Sequence, residues 1–325
     1  MTTQSQPKLD VPQLVLEAHE RCQEHLSPTP LEYSRYLSEK IDGDVWLKLD
    51  SMQRTGSFKF RGALNKILSL TEAELDKGIV TASTGNYAFA VAEAMRIRKH
   101  RPTIYVAEDM DPARLKELRA HGLDLVVYGE AAWDAEEEAR RVAEEKDMIY
   151  VSPYNDPLVV GGQGTCGYEI SKQLPDLDAA FFACGAGGLL TGSAGWLKSQ
   201  NPKVEAFGVS PENSPVMYES MRANKIVVMK TYPTLADTCA GGVDLDSITL
   251  DLCRRYVEEI VLIAETEIEA SIRILFEQHR LVVEGSGALS VGGLLRRKDQ
   301  FKGKKVVAVV CGRNIPLELF KRIIA

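Results

Sequence analysis

The sequence predicts an α/β protein built on mostly parallel sheets, and three observations carry that prediction. Short apolar, β-rich runs alternate with helical stretches of about 10–15 residues, the pattern of βαβ units whose sheets are covered on both faces. Glycine clusters fall where the chain would turn between elements: Thr55-Gly56, Ser83-Thr84-Gly85, Gly161-Gly162-Gln163-Gly164, Gly185-Ala186-Gly187-Gly188 and Gly285-Ser286-Gly287. The length of 325 residues allows two or three domains at roughly 100–200 residues each.

In chain order, Val45 to Leu49 reads as a strand. Ser57 to Leu70 reads as a helix, with Phe60, Leu64, Ile67 and Leu68 on one face at helical spacing. Ile79-Val80-Thr81 is the next strand and Asn86 to Ile97 an alanine-rich helix. Strands follow at 103–106, 123–128 and 148–151, with helices at about 112–121 and 131–146 between them. The second of these carries Glu136, Glu137, Arg140, Arg141, Glu144 and Glu145 as a solvated face. Ala179 to Cys184, Val204 to Val209 and Val306 to Cys311 complete the strands, with helical segments between.

Composition excludes several classes. Lys+Arg total 39 against 46 for Asp+Glu, a net charge of −7, which argues against nucleic-acid binding by bulk electrostatics. No apolar run approaches the roughly 18–20 residues of a membrane helix. The start, Met1 to Pro7, has neither a basic nor an apolar signal region. Six scattered cysteines without a Cys-x-x-Cys pair read as reduced thiols of a cytoplasmic protein. The five histidines form no metal spacing, and no G-x-S-x-G elbow occurs.

In such folds chemistry sits in loops at the carboxyl ends of strands. In Ser57-Phe58-Lys59-Phe60-Arg61-Gly62 a lysine stands in an aromatic helix start. A lysine on an amphipathic helix is usually a surface residue. Here desolvation by Phe58 and Phe60, and a like charge on Arg61, would lower its pKa and favour the free amine a Schiff-base lysine needs. Gly185 to Leu189 follows a strand and opens a helix. It suits an anion at the helix N-terminus, or is a plain turn. Ser83-Thr84-Gly85-Asn86-Tyr87 suits a carboxylate, a reading compatible with simple N-capping. Gly162 to Gly167 matches G-x-G-x-x-G. It lacks a preceding strand and a following acidic residue, which disfavours dinucleotide binding.

Taken together and in order, these segments resemble the fold-type-II pyridoxal-phosphate enzymes, in the serine/threonine dehydratase and serine racemase branch. The resemblance runs from Thr29-Pro30-Leu31 to the C-terminus. It rests on Met52 to Ala63, Ser83 to Asn86, Pro153-Tyr154-Asn155-Asp156, Gly162 to Thr165, Gly185 to Leu189, Glu284-Gly285-Ser286-Gly287-Ala288 and Cys311-Gly312-Arg313-Asn314. It implies two three-layer αβα domains, tryptophan synthase β-like, with a small mobile domain at 53–147 inserted into a large one (1–52 and 148–325). It implies pyridoxal 5'-phosphate as cofactor. Lys59 would hold it covalently, Phe58 pack beside its ring and Asn86 bond the ring hydroxyl. Gly185, Ala186, Gly187, Gly188 and Leu189 would cradle the phosphate, and Cys311 would face the pyridine nitrogen. Ser83, Thr84, Gly85, Tyr87, Gln163 and Arg313 would meet the substrate. The implied reaction is β-elimination from L-threonine or L-serine to a 2-oxo acid and ammonia, with Lys59 as base, in a homodimer or homotetramer. A serine racemase, a 3-hydroxyaspartate dehydratase and a non-catalytic metabolite-binding homologue are the alternatives.

The sequence departs from the family pattern at three places. Tyr87 stands where the carboxylate loop usually has His, and Arg313 where the C-terminal loop usually has Gly. Arg313 could take a second substrate carboxylate or face solvent. Ser210 stands where the racemase branch has a metal-binding carboxylate, leaving Glu212 nearby, so no metal site of that type is expected. Thr84 supplies the hydroxyl that racemases of this branch use, on a stiffer β-branched side chain. The resemblance accounts for the chain to Arg322 and implies no appended effector-binding domain.

Overall fold

The computed structural model describes residues 9–83, 85–108, 110, 112–120, 123–130 and 132–325. Among the described residues, ten strands form two sheets. The six-stranded sheet contains β1 (Leu31–Tyr33), β2 (Asp44–Lys48), β7 (Ala179–Ala183), β8 (Glu205–Pro211), β9 (Glu259–Ile263) and β10 (Lys305–Val309), in the order β1-β2-β10-β7-β8-β9. All its pairs are parallel except β1 with β2. The four-stranded sheet is fully parallel, in the order β5-β4-β3-β6. It contains β3 (Ile79–Ala82), β4 (Pro102–Val106), β5 (Asp124–Val127) and β6 (Ile149–Tyr150).

The expected α/β class and the parallel pairing hold. Strand β7 reads Ala-Ala-Phe-Phe-Ala and is buried at every position, because helices cover both faces of the large sheet. Its Phe181 stacks on Phe207 at 4.8 Å, and Phe301 meets both edge-on, at 5.3 and 5.5 Å. Two strands were not expected. β1 is a half-exposed three-residue edge without clear alternation. β9 carries the β-branched signal in Ile260, Val261 and Ile263. The expected domain boundary at 147 falls just before β6, which pairs Ile149–Tyr150 with Ile79–Val80 and so belongs with the small sheet.

A larger correction concerns glycine. Gly161, Gly162, Gly164 and Gly167 lie inside one 17-residue helix, Pro157–Gln173, and Gly285 and Gly287 lie inside Gly285–Arg296. Asp156 starts the first helix by accepting from the N–H groups of Leu158 (2.7 Å) and Val159 (3.4 Å), with Pro157 at the first helical position. The glycines are there for room. A Cβ on Gly161 would sit 2.7 Å from the carbonyl oxygen of Leu14, and one on Gly162 2.6 Å from that of Arg61. On helix Gly188–Gln200, a Cβ on Gly192 would sit 2.3 Å from the carbonyl oxygen of Val160. Neighbouring helices therefore meet backbone to backbone, which brings the Lys59 helix (Lys59–Ser69) against the helices of the large sheet. Among the described residues, no helix is long and apolar enough to cross a membrane.

Candidate active site

The loop ahead of the Lys59 helix is sewn to the carboxyl end of β10. Ser51 N–H donates to the Val310 carbonyl (2.8 Å), Phe58 N–H to Cys311 (3.0 Å) and Arg313 N–H to Gly56 (2.9 Å). These bonds set Lys59 beside Cys311, at the end of the strands where open α/β sheets bind ligands. Lys59 Nζ lies 5.1 Å from the Phe58 ring centre, 5.7 Å from that of Tyr87, and 3.5 Å from the Pro153 carbonyl. Burial lowers its pKa below the ordinary lysine value, while Cys239, Cys311 and Glu284 pull the other way.

Arg61 plays no part in that lowering, contrary to expectation. It is fully buried on another face of the helix and pairs with two carboxylates. Nε and Nη2 donate to Asp50 at 2.8 and 2.7 Å, and Nη1 and Nη2 to Glu169 at 2.6 and 2.9 Å. Lys48, also buried, adds a bond to Glu169 at 2.6 Å. Desolvation of Lys59 is what favours its free amine.

The glycine loop after β7 delivers Gly188 to a helix start. Gly187 is the N-cap at φ +88°, a conformation that glycine tolerates without strain, and no side chain caps the first turn. The first-turn N–H groups are therefore open to an anion, with the helix dipole in support. A Cβ on Gly185 would lie 3.0 Å from Cys239 Cα, and one on Gly188 2.4 Å from Gln163 Oε1, so the cradle leaves no space for side chains. Phe58, Lys59, Gln163, Gly185 to Leu189, Ser286 and Cys311 line one cavity. Within it Ser286 Oγ is buried without a hydrogen-bond partner. Cys311 Sγ donates to the Ser286 carbonyl at 3.4 Å, and burial pushes its thiol pKa well up, so it stays protonated.

Lys59 also lines a wider adjoining cleft of about 500 Å³. One wall carries Ser83, Gly85, Asn86 and Tyr87, and the opposite wall Thr238 and Cys239. The Gly85 N–H donates to Ser83 Oγ at 3.3 Å. Tyr87 OH donates to the Ser152 carbonyl at 2.7 Å, and burial raises its pKa, so it closes the wall as a neutral phenol. Asn86 Nδ2 donates to the buried Glu284 at 2.7 Å, and Asn86 Oδ1 accepts from Asn314 Nδ2 at 2.6 Å. Thr84, expected at this wall, lies outside the described residues.

Gln163 and Arg313 do not line this wider cleft. Gln163 is at the glycine cradle, with Nε2 donating to the Pro153 carbonyl at 3.0 Å. Arg313 is exposed and lines a separate cleft of about 740 Å³ with Arg54 and Arg96. At the position expected to lack a metal ligand, Ser210 Oγ donates to the Cys184 carbonyl at 2.6 Å and Glu212 pairs with Arg296 at 3.0 Å. Sequence reasoning passed over Thr238, Cys239, Ser286 and the role of Glu284. The first two stand in a loop without a motif. Glu284 and Ser286 stood inside a motif already noted, and the acid in that motif was the signal.

Comparison with known proteins agrees with this geometry. A family model for pyridoxal-phosphate dependent enzymes matches residues 22–312. The chain is 39% identical over 310 residues to an L-threonine ammonia-lyase of Thermotoga maritima, covering 95% of this chain and 77% of that protein. It is 32% identical over 311 residues to an L-threo-3-hydroxyaspartate ammonia-lyase of Saccharomyces cerevisiae, covering 96% and 95%. The fold is similar to the processed form of threonine deaminase isoform 2 from Solanum lycopersicum, with a TM-score of 0.90, 30% identity and coverage of 96% and 92%. A family match over most of the length, joined to a half-buried lysine between a glycine anion cradle and a substrate-sized cleft, places this chain in the fold-type-II pyridoxal-phosphate dependent enzyme family.

Proposed function

We propose that this chain is a lyase that eliminates water from L-threonine, with L-serine as second substrate, to an enamine product that water then hydrolyses to a 2-oxo acid and ammonia. The observation that carries the reading is the place of Lys59. It lines both the cradle cavity and the cleft, and burial favours its free amine. The residues fit pyridoxal phosphate. Backbone N–H groups of Gly185 to Leu189, uncrowded by side chains at the three glycines, suit the phosphate. The neutral Cys311 thiol, next to Ser286, suits a pyridine nitrogen that keeps no proton. Asn86 suits the ring hydroxyl and Phe58 the ring face.

When bound, the cofactor supplies the electron sink that makes the substrate α-proton acidic. The chain's own residues do the rest. Ser83 and Gly85 hold the substrate carboxylate through a hydroxyl and N–H groups at the start of helix Asn86–Ile97. Lys59 takes the α-proton as general base. Tyr87 fills its wall and narrows the side of the cleft next to Lys59. Glu136 and Asp237 also line the cleft, whereas Arg313 does not, which favours a neutral β-substituent over the second carboxylate of 3-hydroxyaspartate.

In this reading the unit carrying the small sheet, 53 to about 151, closes over the substrate against the rest of the chain. Six free cysteines suit the cytoplasm. A homodimer or homotetramer remains part of the reading. The test is a coupled 2-oxo acid assay on L-threonine, L-serine and 3-hydroxyaspartate, with Lys59→Ala beside the wild type. Turnover of threonine or serine is expected, with loss of turnover and of visible cofactor absorbance in the variant. A variant that keeps both would sink the assignment. Faster turnover of 3-hydroxyaspartate would overturn the substrate choice.

A further inference from the structure

Glu284 sits immediately before helix Gly285–Arg296, 3% exposed, and its carboxylate accepts from three donors. Oε1 accepts from Asn86 Nδ2 at 2.7 Å and from Thr238 Oγ1 at 3.1 Å, and Oε2 accepts from the Asn314 N–H at 2.9 Å. An ionised carboxylate only accepts, so this arrangement asks for the charged acid and not its amide. Asn314 also holds the other end of Asn86, through Nδ2 to Oδ1 at 2.6 Å. The Asn86 amide is thus gripped from both sides, its orientation is fixed, and one Nδ2–H is left for the cleft.

Two glycines make room for this grip. A Cβ on Gly312 would lie 2.5 Å from Glu284 Oε1, and one on Gly56 2.4 Å from Asn314 Oδ1. Among the described residues, the titratable groups facing the carboxylate include Lys59, Cys239 and Cys311. Burial pushes both thiols up, Cys239 to about 12, so they stay neutral, and Lys59 is the basic group Glu284 faces.

We infer that Glu284 is a positioning residue: it fixes the Asn86 amide toward the cofactor ring and sets a negative charge opposite the Lys59 nitrogen. The inference rests on the cofactor reading above. It gives Glu284 two separable effects, one on orientation, shared with Asn314, and one on charge, which is its own.

The test uses the purified full chain loaded with pyridoxal phosphate, as wild type, Glu284→Gln and Asn314→Ala. Cofactor affinity is measured by absorbance titration. The pH midpoint of the visible band reports protonation at the Lys59 nitrogen. Both variants are expected to lose about tenfold or more in cofactor affinity, as for a buried polar group left without its partner. Only Glu284→Gln is expected to lower the pH midpoint, by about one unit, because a nearby anion favours the protonated nitrogen. A wild type that takes up no cofactor overturns the cofactor reading and this inference with it. A coloured wild type with a Glu284→Gln protein indistinguishable from it overturns this inference alone. If Glu284→Gln fails to fold, unchanged affinity in Asn314→Ala overturns it and a tenfold loss there supports it. An equal shift of midpoint in both variants refutes the charge effect.

Discussion

Replacing Arg61 by Met should cost this protein much of its stability at neutral pH and much less in acid. The Arg61 guanidinium makes four bonds of 2.6 to 2.9 Å to Asp50 and Glu169, and a fifth of 3.1 Å to Thr165 Oγ1. Without it Asp50, which is 0% exposed, keeps the Thr29 hydroxyl at 2.8 Å, and Glu169 keeps Lys48. A buried charge that loses its partner costs about 3–5 kcal/mol. For a chain of this size that is a fall in Tm of about 4–7 °C. The pH dependence follows from the carboxylates. Burial pushes Asp50 and Glu169 up, but the charge and bonds of Arg61, with help from Lys48, hold both below their ordinary values. Their contribution is therefore complete above the ordinary carboxylate range and is lost as pH falls through the depressed native values. In the variant the stranded acids protonate more readily. The gap between the two proteins should be full at about pH 7 and close as pH drops below about 4. Thermal unfolding followed by circular dichroism at both pH values measures it. A loss under about 1 kcal/mol, within the range of a surface ion pair, or a gap of the same size at both pH values, refutes the reasoning.

Two further outcomes follow from the same geometry. Gly192→Ala should lower Tm, because the new Cβ meets the Val160 carbonyl at 2.3 Å and the Gly164 N–H at 2.9 Å, both backbone. An overpacking cost of about 1–3 kcal/mol exceeds most of the gain of up to ~1 kcal/mol from replacing a helical glycine. Gly242→Ala, with nothing within 4 Å, is the control, and equal Tm values for the two variants would contradict the close helix contact. Arg313→Gly should leave the relative rates on threonine, serine and 3-hydroxyaspartate unchanged, since Arg313 lines a different cleft from Lys59. A change in the ratio would return it to the substrate site.

Much of the site was legible because its chemistry is local in sequence. A lysine between two phenylalanines and a glycine run at a helix start are each contained within six residues, and the backbone carries each intact into the fold. The direction of Arg61 was not legible. Its partners are 11 and 108 residues away, and two positions along a helix turn a side chain through roughly 200°. Proximity in sequence to Lys59 therefore said little about proximity in space. The same limit applied to Glu284, 198 residues from Asn86. Arg313 had two readings open in the sequence for a related reason: its N–H joins Gly56 at the site, while its side chain is exposed in a separate cleft.

Glycine shows why one residue type carried three meanings. At Gly187 the backbone itself requires it, with φ at +88°. At Gly161, Gly162 and Gly192 the backbone is ordinary helix, and a neighbouring helix requires it. At Gly56 and Gly312 polar side chains require it, since Asn314 and Glu284 occupy the space a Cβ would take, though Gly56 also stands at φ +76°. Sequence spacing distinguishes none of these cases, because the group that excludes the Cβ is distant along the chain in all but the first. Each glycine therefore predicts a different failure on substitution. Alanine at 187 strains a turn that shapes the phosphate cradle, alanine at 192 separates two helices, and alanine at 312 displaces the carboxylate that orients Asn86. Only the last should change the pH response of the visible band in a protein whose helices and cradle remain in place.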